Sequence, residues 1–232
     1  MIMGADHMEK EWEKAAESLT QITVTSNPDN NPVSIYGNFD DLKCIGVGTD
    51  AAVFQSMHSP AYAFKLYADE KRSKIEIEKK VYQMLGDSPY FPTCFAANDH
   101  YLVLSFEPGI TLYDCLLQGI HIPNQVIHDV EEARIYAYEK GLNPRDIHLK
   151  NVLLQNGRGK VIDVSEYLQP DNDFRWEHLK TSYEEYYHLI AGKSLPFWLV
   201  ETVRKWYNQR NKESSTFEDF IKNVLKLKMF LK

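Results

Sequence analysis

The spacing of apolar positions changes near the middle of the chain. Between residues 41 and 106, apolar residues come in short runs separated by turn residues, a pattern that is typical of strands. The predicted strands cover residues 42–45, 52–55, 61–67, 93–97 and 101–106. One charged stretch, 70–85, instead places Ile77, Val81 and Leu85 four residues apart and stops at a glycine, which predicts a helix. The first half is therefore predicted to be a small sheet with one helix.

The second half mostly follows a helical period. A helix is predicted over 123–140, opened by a proline and ended by a glycine. Its core-facing stripe consists of Val126, Val130, Ala133 and Ala137. Two further strands, 152–154 and 160–164, lie on either side of an Asn-Gly turn and predict a second hairpin. From about residue 175 the pattern is helical again.

The two ends of the chain carry weaker signals. Residues 9–20 are charged and suit a short helix, and the Asn- and Pro-rich stretch 26–32 is a polar break, so we expect an extension rather than a domain. Near the other end, Ser215 and Glu218 have the spacing of a capping box. The helix that follows has an apolar stripe of Phe217, Phe220, Val224, Leu227 and Leu231 beside Lys222, Lys226, Lys228 and Lys232. Such a helix can bind an acidic surface, but more often it packs its stripe on the domain and leaves its lysines in water.

Composition narrows the class of protein. The chain has 232 residues, enough for one domain or two closely packed lobes, and its 26 Lys and Arg against 33 Asp and Glu give a net charge of −7. That balance, without a long basic run, disfavours general nucleic-acid binding. The three cysteines lack metal-site or disulfide spacing, and no apolar run is long enough for a bilayer. We therefore expect a cytoplasmic protein with reduced cysteines, no generic nucleic acid binding and no membrane span.

The stretch GLNPRDIHLKNVLL, residues 141–154, holds the first candidate for chemistry. Asp146 precedes Asn151 by five residues, and Asn151 leads directly into an apolar strand. One interpretation is a turn with solvated charges. The other is a phosphoryl-transfer loop in which the Asp accepts a hydroxyl proton and the Asn holds a magnesium ion. The stretch alone does not decide between them.

Two features of the first half bear on that choice. Gly46 and Gly48 lie between two strands, where backbone amides could approach phosphate groups, although an ordinary hairpin turn also explains two glycines. Lys65 lies on a largely apolar strand, and a lysine that points into a cleft needs a counter-charge. On the helix that follows, Glu78 is the favoured partner of this lysine, and Glu76 competes with it.

The order of these motifs resembles the protein-kinase fold from about residue 40 to residue 165. The motifs follow one another in the order found in that superfamily. They are a glycine turn, a strand Ala-x-Lys, a helical Glu, a strand that runs into Glu-Pro-Gly, a helix, the Asp146–Asn151 stretch and a strand that ends in Ile-Asp-Val. The resemblance implies an α+β fold with two lobes, a small antiparallel sheet with one helix and a mainly helical C-terminal lobe. It also implies an N-terminal extension over 1–35, an N-lobe over 36–104, and a hinge with the C-lobe over 105–232.

The resemblance further implies a site for ATP and magnesium. The residues implied for ATP binding are Gly46, Gly48, Val53, Ala63, Lys65, Glu78, Ser105 and Glu107. The glycines would cover the phosphates, the lysine would bind them while its glutamate holds it, and the two small apolar residues would pack on adenine. The Ser105 carbonyl and the Glu107 amide would bond the adenine edge. Asp146 would be the catalytic base, and Lys65 would be the second catalytic residue. Asn151 and Asp163 would hold magnesium.

Several departures from the superfamily pattern leave the activity open. Pro144 stands where protein kinases usually have His, and Ser165 replaces the glycine that usually ends the second acid motif. His148 stands where they tend to have Lys, and aminoglycoside and choline phosphotransferases, relatives of the same fold, commonly have His there. The chain lacks an Ala-Pro-Glu motif and has little room for a peptide platform, so we do not expect regulation by loop phosphorylation. Asp171 or Asp173 is expected to support the catalytic loop.

The sequence resembles compact bacterial-type and Rio-type atypical serine/threonine kinases, and three functions follow. The first is an ATP- and magnesium-dependent minimal serine/threonine protein kinase or autokinase. The second is a small-molecule phosphotransferase of the aminoglycoside or choline kinase type, and the third is a pseudokinase that acts as a nucleotide-binding interaction module. The intact set Lys65, Glu78, Asp146, Asn151 and Asp163 argues against the third. The acceptor hydroxyl, on a protein or a small molecule, is not specified.

Overall fold

Three antiparallel sheets and a set of α-helices make up the fold in the parts of the chain that the computed structural model describes, residues 11–38, 40–209 and 217–227. The strands are β1 (Ile22–Thr25), β2 (Ser34–Gly37), β3 (Leu42–Val47), β4 (Ala51–Ser56), β5 (Ser59–Tyr67), β6 (Cys94–Ala97), β7 (Tyr101–Ser105), β8 (Ile110–Thr111), β9 (Val152–Gln155) and β10 (Arg158–Val161). The helices are α1 (Ala16–Thr20), α2 (Ser73–Leu85), α3 (Leu112–Gln118), α4 (Asn124–Glu139), α5 (Arg175–Tyr186), α6 (Phe197–Gln209) and α7 (Phe217–Leu227). This is the α+β, two-lobe, protein-kinase-like fold that the motif order implies.

The N-terminal lobe is built on a five-stranded sheet with the strand order β3-β4-β5-β7-β6. The strands predicted from the sequence are all present, with ends that differ by one or two residues. The Asn-Asp-His turn joins β6 to β7 as its residue types predict, because the side chain of Asn98 accepts hydrogen bonds from the amides of His100 and Tyr101, both at 2.9 Å.

The two faces of this sheet belong to different cores. On one face Phe54, Tyr62 and Phe64 are completely buried. The residues that cover them come from the N-terminal segment and include Ala15, Leu19, Val24 and Val33. The sequence did not predict the β1–β2 hairpin in this segment, and the polar break at 26–32 is the loop that connects its two strands. The N-terminal segment is therefore a packed layer of the lobe.

Helix α2 packs against the opposite face of the sheet. The helix ends at Gly86, which has a φ of 64° and donates its amide to the Tyr82 carbonyl at 2.9 Å. The buried positions of the helix are Ile75, Glu78, Val81, Tyr82 and Leu85. A glutamate among four apolar residues requires a partner, since an unpaired charge is costly to bury.

The C-terminal lobe contains the long helix α4, whose predicted stripe of Val126, Val130, Ala133 and Ala137 is buried. The β9–β10 hairpin turns through Asn156 and Gly157, with φ values of 52° and 81°, as an Asn-Gly turn requires. The hairpin is attached to α4 by Asp129, whose buried carboxylate accepts from the Gly159 amide at 2.7 Å and from Arg158 at 2.7 to 3.1 Å. The short elements β8 and α3 were not predicted.

Helix α7 packs on the C-terminal lobe, the outcome that is the commoner one for such a terminal helix. Phe217 stacks on the ring of His178 with centroids 4.2 Å apart, and Ile221 is buried. Lys222 stays exposed and lies 3.7 Å from Asp219. Ser215, Lys228, Leu231 and Lys232 lie outside the described residues, and so do the side chains of Lys226 and Leu227. Within the described ranges, no helix has the length and apolar character needed to cross a bilayer.

Candidate active site

One face of the N-terminal sheet carries a row of candidate residues. Gly46, Val53, Lys65 and Leu102 are successive cross-strand partners on β3, β4, β5 and β7. Directly opposed residues in an antiparallel sheet share a face, so the four lie side by side. Ala63, two residues before the lysine on β5, lies on the same face. Phe54, Tyr62 and Phe64 point to the other face, as the alternation along β5 predicts, whereas Tyr67 lies on the same face as Lys65.

Lys65 is held by two carboxylates from different elements. Its Nζ lies 2.9 and 2.8 Å from the two oxygens of Glu78 on α2, and 3.2 Å from Asp163 Oδ1. Glu78 is completely buried, and the hydroxyl of Tyr67 donates to it as well. Glu76, the competing partner, is exposed and lies 3.2 Å from Lys79 instead. The structure therefore pairs Lys65 with Glu78.

The protonation of this cluster follows from burial and charge. Burial alone would lower the pKa of Lys65, but Asp163 and Glu78 together raise it above its ordinary value. Burial raises the pKa of Glu78 to about 7, although the lysine opposes the change. Burial would also raise the pKa of Asp163, but the lysine and hydrogen bonds from Ser165 hold it below its ordinary value. Two carboxylates thus share one lysine.

Asp146 has a strained backbone that its neighbours hold in place. Its φ of 55° is in the left-handed region, which costs a non-glycine residue roughly 1–2 kcal/mol. Its amide donates to Asp173 Oδ2 at 3.0 Å, and its carbonyl accepts from Asn151 Nδ2 at 3.1 Å. Both peptide groups flanking the residue are therefore fixed, which is the condition under which such strain persists.

Arg175, the first residue of α5, joins the candidate base to its support. Its Nε lies 3.2 Å from Asp146 Oδ1 and 3.3 Å from Asp173 Oδ2. The other oxygen of Asp173 accepts from the Arg175 amide at 3.1 Å, so the same carboxylate also binds the first amide of the helix. Of the two aspartates considered for support of the catalytic loop, the structure selects Asp173. Asp171 has a φ of 66° and its carbonyl accepts from Asn143 at 2.8 Å.

The loop environment sets two further protonation states. Burial raises the pKa of Asp146 to about 6, with Arg175 opposing the rise and Asp163 adding to it. Burial and Arg175 lower the pKa of His148 to about 4. At neutral pH the imidazole is therefore uncharged, and Asp146 is a carboxylate with a pKa high enough to accept a proton.

Asn151 and Asp163 provide oxygens of the kind that magnesium prefers. The amide nitrogen of Asn151 is used on the Asp146 carbonyl, so its oxygen is not the atom engaged in that bond. Oδ1 of Asp163 accepts from the Ser165 amide at 3.1 Å. Among the described residues, no group of three or more His, Cys, Asp and Glu side chains could hold a metal ion. Two protein oxygens suit magnesium, which is commonly held by one or two side chains plus phosphates and water.

The segment that connects β7 to the second lobe is held by side-chain contacts as well as by backbone hydrogen bonds. The hydroxyl of Ser105 donates to Glu107 Oε1 at 2.6 Å and accepts from the Thr93 amide at 3.0 Å. The other oxygen of Glu107 lies 2.9 Å from Nζ of Lys160 on β10. Ser105 and Glu107 thus lie at the connection between the lobes, and Glu107 forms an ion pair with the C-terminal lobe.

Neither Gly46 nor Gly48 needs to be glycine for the protein's own packing. Neither has a positive φ, and a Cβ added at either position would meet only ordinary van der Waals contacts, the nearest at 3.7 Å and 3.4 Å. Gly48 lies in the turn between β3 and β4, and its amide donates a hydrogen bond to the Ala51 carbonyl at 2.9 Å. Its own carbonyl accepts from the Val33 amide at 2.9 Å, so the N-terminal layer contacts the glycine turn.

The loop that carries Asp146 is attached to the segment that follows Asp163. Pro144 is buried beneath the loop, and the guanidinium of Arg145 donates to the Pro170 carbonyl. Nδ2 of Asn143 donates to the carbonyls of Gln169 and Asp171, both at 2.8 Å. The short segment between Asp163 and α5 is therefore attached to the loop that carries Asp146.

Sequence reasoning missed three contributors to this arrangement. It did not identify Arg175, the hydroxyl of Tyr67 or the double ion pair of Lys74 with Asp50 and Glu166 at 2.7 and 3.0 Å. For Arg175 the local signal is an aspartate two residues earlier, because an aspartate side chain commonly accepts from the amide two residues on. For the other two the partners are distant in sequence, and no local pattern indicates them.

Two curated proteins that are similar in sequence are both named as putative serine/threonine-protein kinases. The "Putative serine/threonine-protein kinase YrzF" of Bacillus subtilis (strain 168) is 35% identical over 188 residues, which cover 79% of this chain and 87% of that protein. The "Putative serine/threonine-protein kinase YPL150W" of Saccharomyces cerevisiae is 25% identical over 171 residues, 69% of this chain and 19% of that protein. The crystal structure of Rad53 1–466 in complex with AMP-PNP aligns with a TM-score of 0.44 and 17% identity over 56% of this chain and 44% of that one.

No protein-family model matches the chain. The Bacillus relative is similar over nearly its whole length, and its similarity spans the region that holds most of the candidate site. By that relationship the chain belongs to the protein-kinase-like superfamily, among the compact chains that resemble bacterial serine/threonine kinases.

Proposed function

We propose that the protein is an ATP- and magnesium-dependent phosphotransferase that moves the γ-phosphate of ATP to a hydroxyl group, as a minimal serine/threonine protein kinase or autokinase. One observation carries the proposal. Lys65 is held between Glu78 and Asp163. The residue before Asp163, Ile162, donates its amide to the Asn151 carbonyl at 3.0 Å, and Asn151 donates to the Asp146 carbonyl at 3.1 Å, so the phosphate-binding, metal-binding and base positions adjoin one another. Phosphoryl transfer depends mainly on positioning and on neutralising phosphate charge, which this set of groups can provide.

Each residue has a separable task in this proposal. Lys65 would bind the nucleotide's phosphates, and Glu78 would hold the lysine in the cleft. Asp146 would orient the acceptor hydroxyl and take its proton, a task that suits a carboxylate whose pKa is about 6. Asn151 and Asp163 would hold a magnesium ion. When bound, that ion would neutralise part of the phosphate charge.

The glycine turn is suited to nucleotide binding. Gly46 and Gly48 have no positive φ and no internal contact that excludes a Cβ. The missing side chains would let phosphate groups approach the backbone amides of the turn closely. Gly46 also neighbours Val53, which together with Ala63 would provide the apolar surface for adenine. Ser105 and Glu107 would offer the adenine edge a backbone carbonyl and an amide.

A small-molecule phosphotransferase is the second candidate, and a specific feature favours it. Residues 164–174 lead directly from Asp163 to α5 and are tied to the catalytic loop by Asn143 and Arg145. A segment this short offers a peptide acceptor little platform. Neutral His148 beside the base is the residue that small-molecule kinases of this fold commonly have.

A cytoplasmic location remains a prediction from composition.

Transfer of labelled phosphate from ATP distinguishes these functions. The assay is run in parallel on the protein alone, on a generic protein mixture, and on a panel of alcohols and aminoglycosides. Label on protein supports the first candidate, and label on an alcohol supports the second. Absence of transfer to every acceptor, with nucleotide still bound, would favour a pseudokinase and overturn the proposal.

A further inference from the structure

A second charge cluster lies one helical turn away from the Lys65 site. Lys74 precedes Glu78 by four residues on α2, so the two side chains lie on the same face of the helix. Nζ of Lys74 is 2.7 Å from Asp50 Oδ2 and 3.0 Å from Glu166 Oε1. The lysine thus joins two carboxylates from distant parts of the chain, and the chemistry proposed above does not use it.

The Asp50 end of this cluster is the glycine turn. Asp50 follows Gly48 by two residues, and its carbonyl accepts from the Ala68 amide at 2.9 Å. Its carboxylate also lies 3.5 Å from Nζ of Lys71. On the other side, the Gly48 carbonyl is bonded to the Val33 amide. The turn is therefore held from two sides, and Lys74 provides the shortest charged contact.

The Glu166 end is the segment that follows the proposed magnesium ligand. Glu166 comes three residues after Asp163, and its carbonyl accepts from the Gln169 amide at 3.0 Å. The next residue, Tyr167, accepts at its carbonyl from the Asn143 amide at 2.8 Å. A displacement of Glu166 would therefore be transmitted both to Asp163 and to the loop that carries Asp146.

We propose that Lys74 is a positioning residue that holds the glycine turn, α2 and the segment after Asp163 in one arrangement around the nucleotide cleft. The inference rests on the proposed function, for which it names a further residue. Because Glu166 itself supplies the carboxylate that contacts Lys74, the segment needs no added phosphate group to be held against α2. The three side chains are 27% to 29% exposed, so salt screens the contacts less than it would screen a surface pair.

The kinetic test compares two lysines of the same helix. Lys74→Met keeps the apolar stem and removes the charge, and it is expected to raise the KM for ATP and to lower kcat/KM by about three- to tenfold. Lys79→Met is the matched control, since Lys79 pairs with Glu76, whose side chain is 73% exposed. The control is expected to match the parent. The thermal midpoints of both variants are expected to stay near that of the parent, which separates positioning from unfolding.

A double-mutant cycle identifies the partner. If Lys74 acts through Glu166, then Lys74→Met combined with Glu166→Gln costs little more than the larger single change, because one contact cannot be lost twice. Fully additive losses would mean that the two residues act separately and would overturn the bridge to this segment. The same cycle with Asp50→Asn tests the contact with the glycine turn.

Hydrogen exchange on the nucleotide-free protein tests the arrangement without any assumption about activity. In Lys74→Met, peptides that cover 46–52 and 164–170 are expected to exchange faster together, and in Lys79→Met they are expected to keep the parental rate. Parental exchange in both peptides would overturn the inference. If the parent transfers no phosphate, the proposed function fails while this measurement still tests the bridge. If the parent transfers phosphate and Lys74→Met matches Lys79→Met throughout, the inference alone fails.

Discussion

The backbone amide of Asp146 donates to the carboxylate of Asp173 at 3.0 Å, which ties the candidate base to the segment that leads into α5. The base is therefore positioned by a residue from outside its own loop. Arg175 contacts both carboxylates, at 3.2 and 3.3 Å, so the pair of acids shares one positive charge. Changes to this triad are expected to affect the transfer step before they affect nucleotide binding.

Asp146→Asn is expected to abolish transfer while nucleotide affinity stays nearly parental. The amide cannot take the hydroxyl proton, and loss of a positioned base typically costs on the order of a hundredfold or more in rate. Asp163→Asn is the contrasting variant, since a neutral amide replaces a carboxylate ligand of a hard cation and weakens binding of magnesium-ATP itself. Transfer and nucleotide-induced thermal shift are measured on both. Parental transfer by Asp146→Asn would end the catalytic claim.

Magnesium-ATP is expected to raise the thermal midpoint of the parent. A ligand that binds only the folded state stabilises it by mass action, by about 2.7 kcal/mol at roughly 100 times its dissociation constant. ATP without metal should shift the midpoint less, because the cation that Asn151 and Asp163 would hold against the phosphates is then absent. Thermal melts with ATP, with magnesium and with both check this. An unchanged midpoint at millimolar magnesium-ATP would count against the whole assignment.

Glu78→Gln is expected to reduce turnover by about tenfold to a hundredfold, because Lys65 loses the charge that positions it. Its effect on folding should be small. Gln keeps the size of the side chain, and Lys65 keeps Asp163 as a counter-charge 3.2 Å away, so turnover is expected to fall by more than stability. Glu76→Gln, which changes an exposed residue of the same helix, is the control. A larger loss of turnover in the control would mean that the functional pair has been misassigned.

The pH profile of kcat/KM is expected to follow Asp146. The base must be deprotonated, and because its pKa is raised to about 6, the rate should be flat above this pH and fall about tenfold per unit below it. His148→Gln should leave the inflection in place, since the pKa of His148 is about 4. Arg175→Gln should move it to higher pH by removing the charge that opposes the rise. An inflection that follows His148 instead would contradict the assignment of the base.

The parts of the site that were predictable from the sequence are those with a local pattern. The alternation along β5 indicated which side of the sheet Lys65 takes, and Glu78 was preferred over Glu76 because its neighbours on the helix are apolar. Both follow from a period of 2.0 or 3.6 residues. The roles of these residues toward ATP and magnesium remain predictions.

The parts that were not predictable depend on tertiary contacts. Strands β1 and β2 are four residues each and partly polar, and they are stabilised by burial of Val24 and Val33 on a distant sheet. The choice between Asp171 and Asp173 depends on how the chain turns before α5, where Asp171 and Phe174 have left-handed backbones. The intrinsic conformational preferences of single residues do not predict this course of the backbone.

The N-terminal layer has a consequence for where the smallest foldable unit begins. A fragment that started at residue 40 would retain every motif of the candidate site, yet it would expose Phe54, Tyr62 and Phe64 to water. Each such side chain forfeits roughly 1.5–3 kcal/mol when it is left unburied. Their sum is a large part of the roughly 5–15 kcal/mol that separates a folded domain from its unfolded chain. Truncation by motif alone would therefore leave an apolar sheet face exposed, and a productive expression boundary lies before Trp12, which packs against the core on that face.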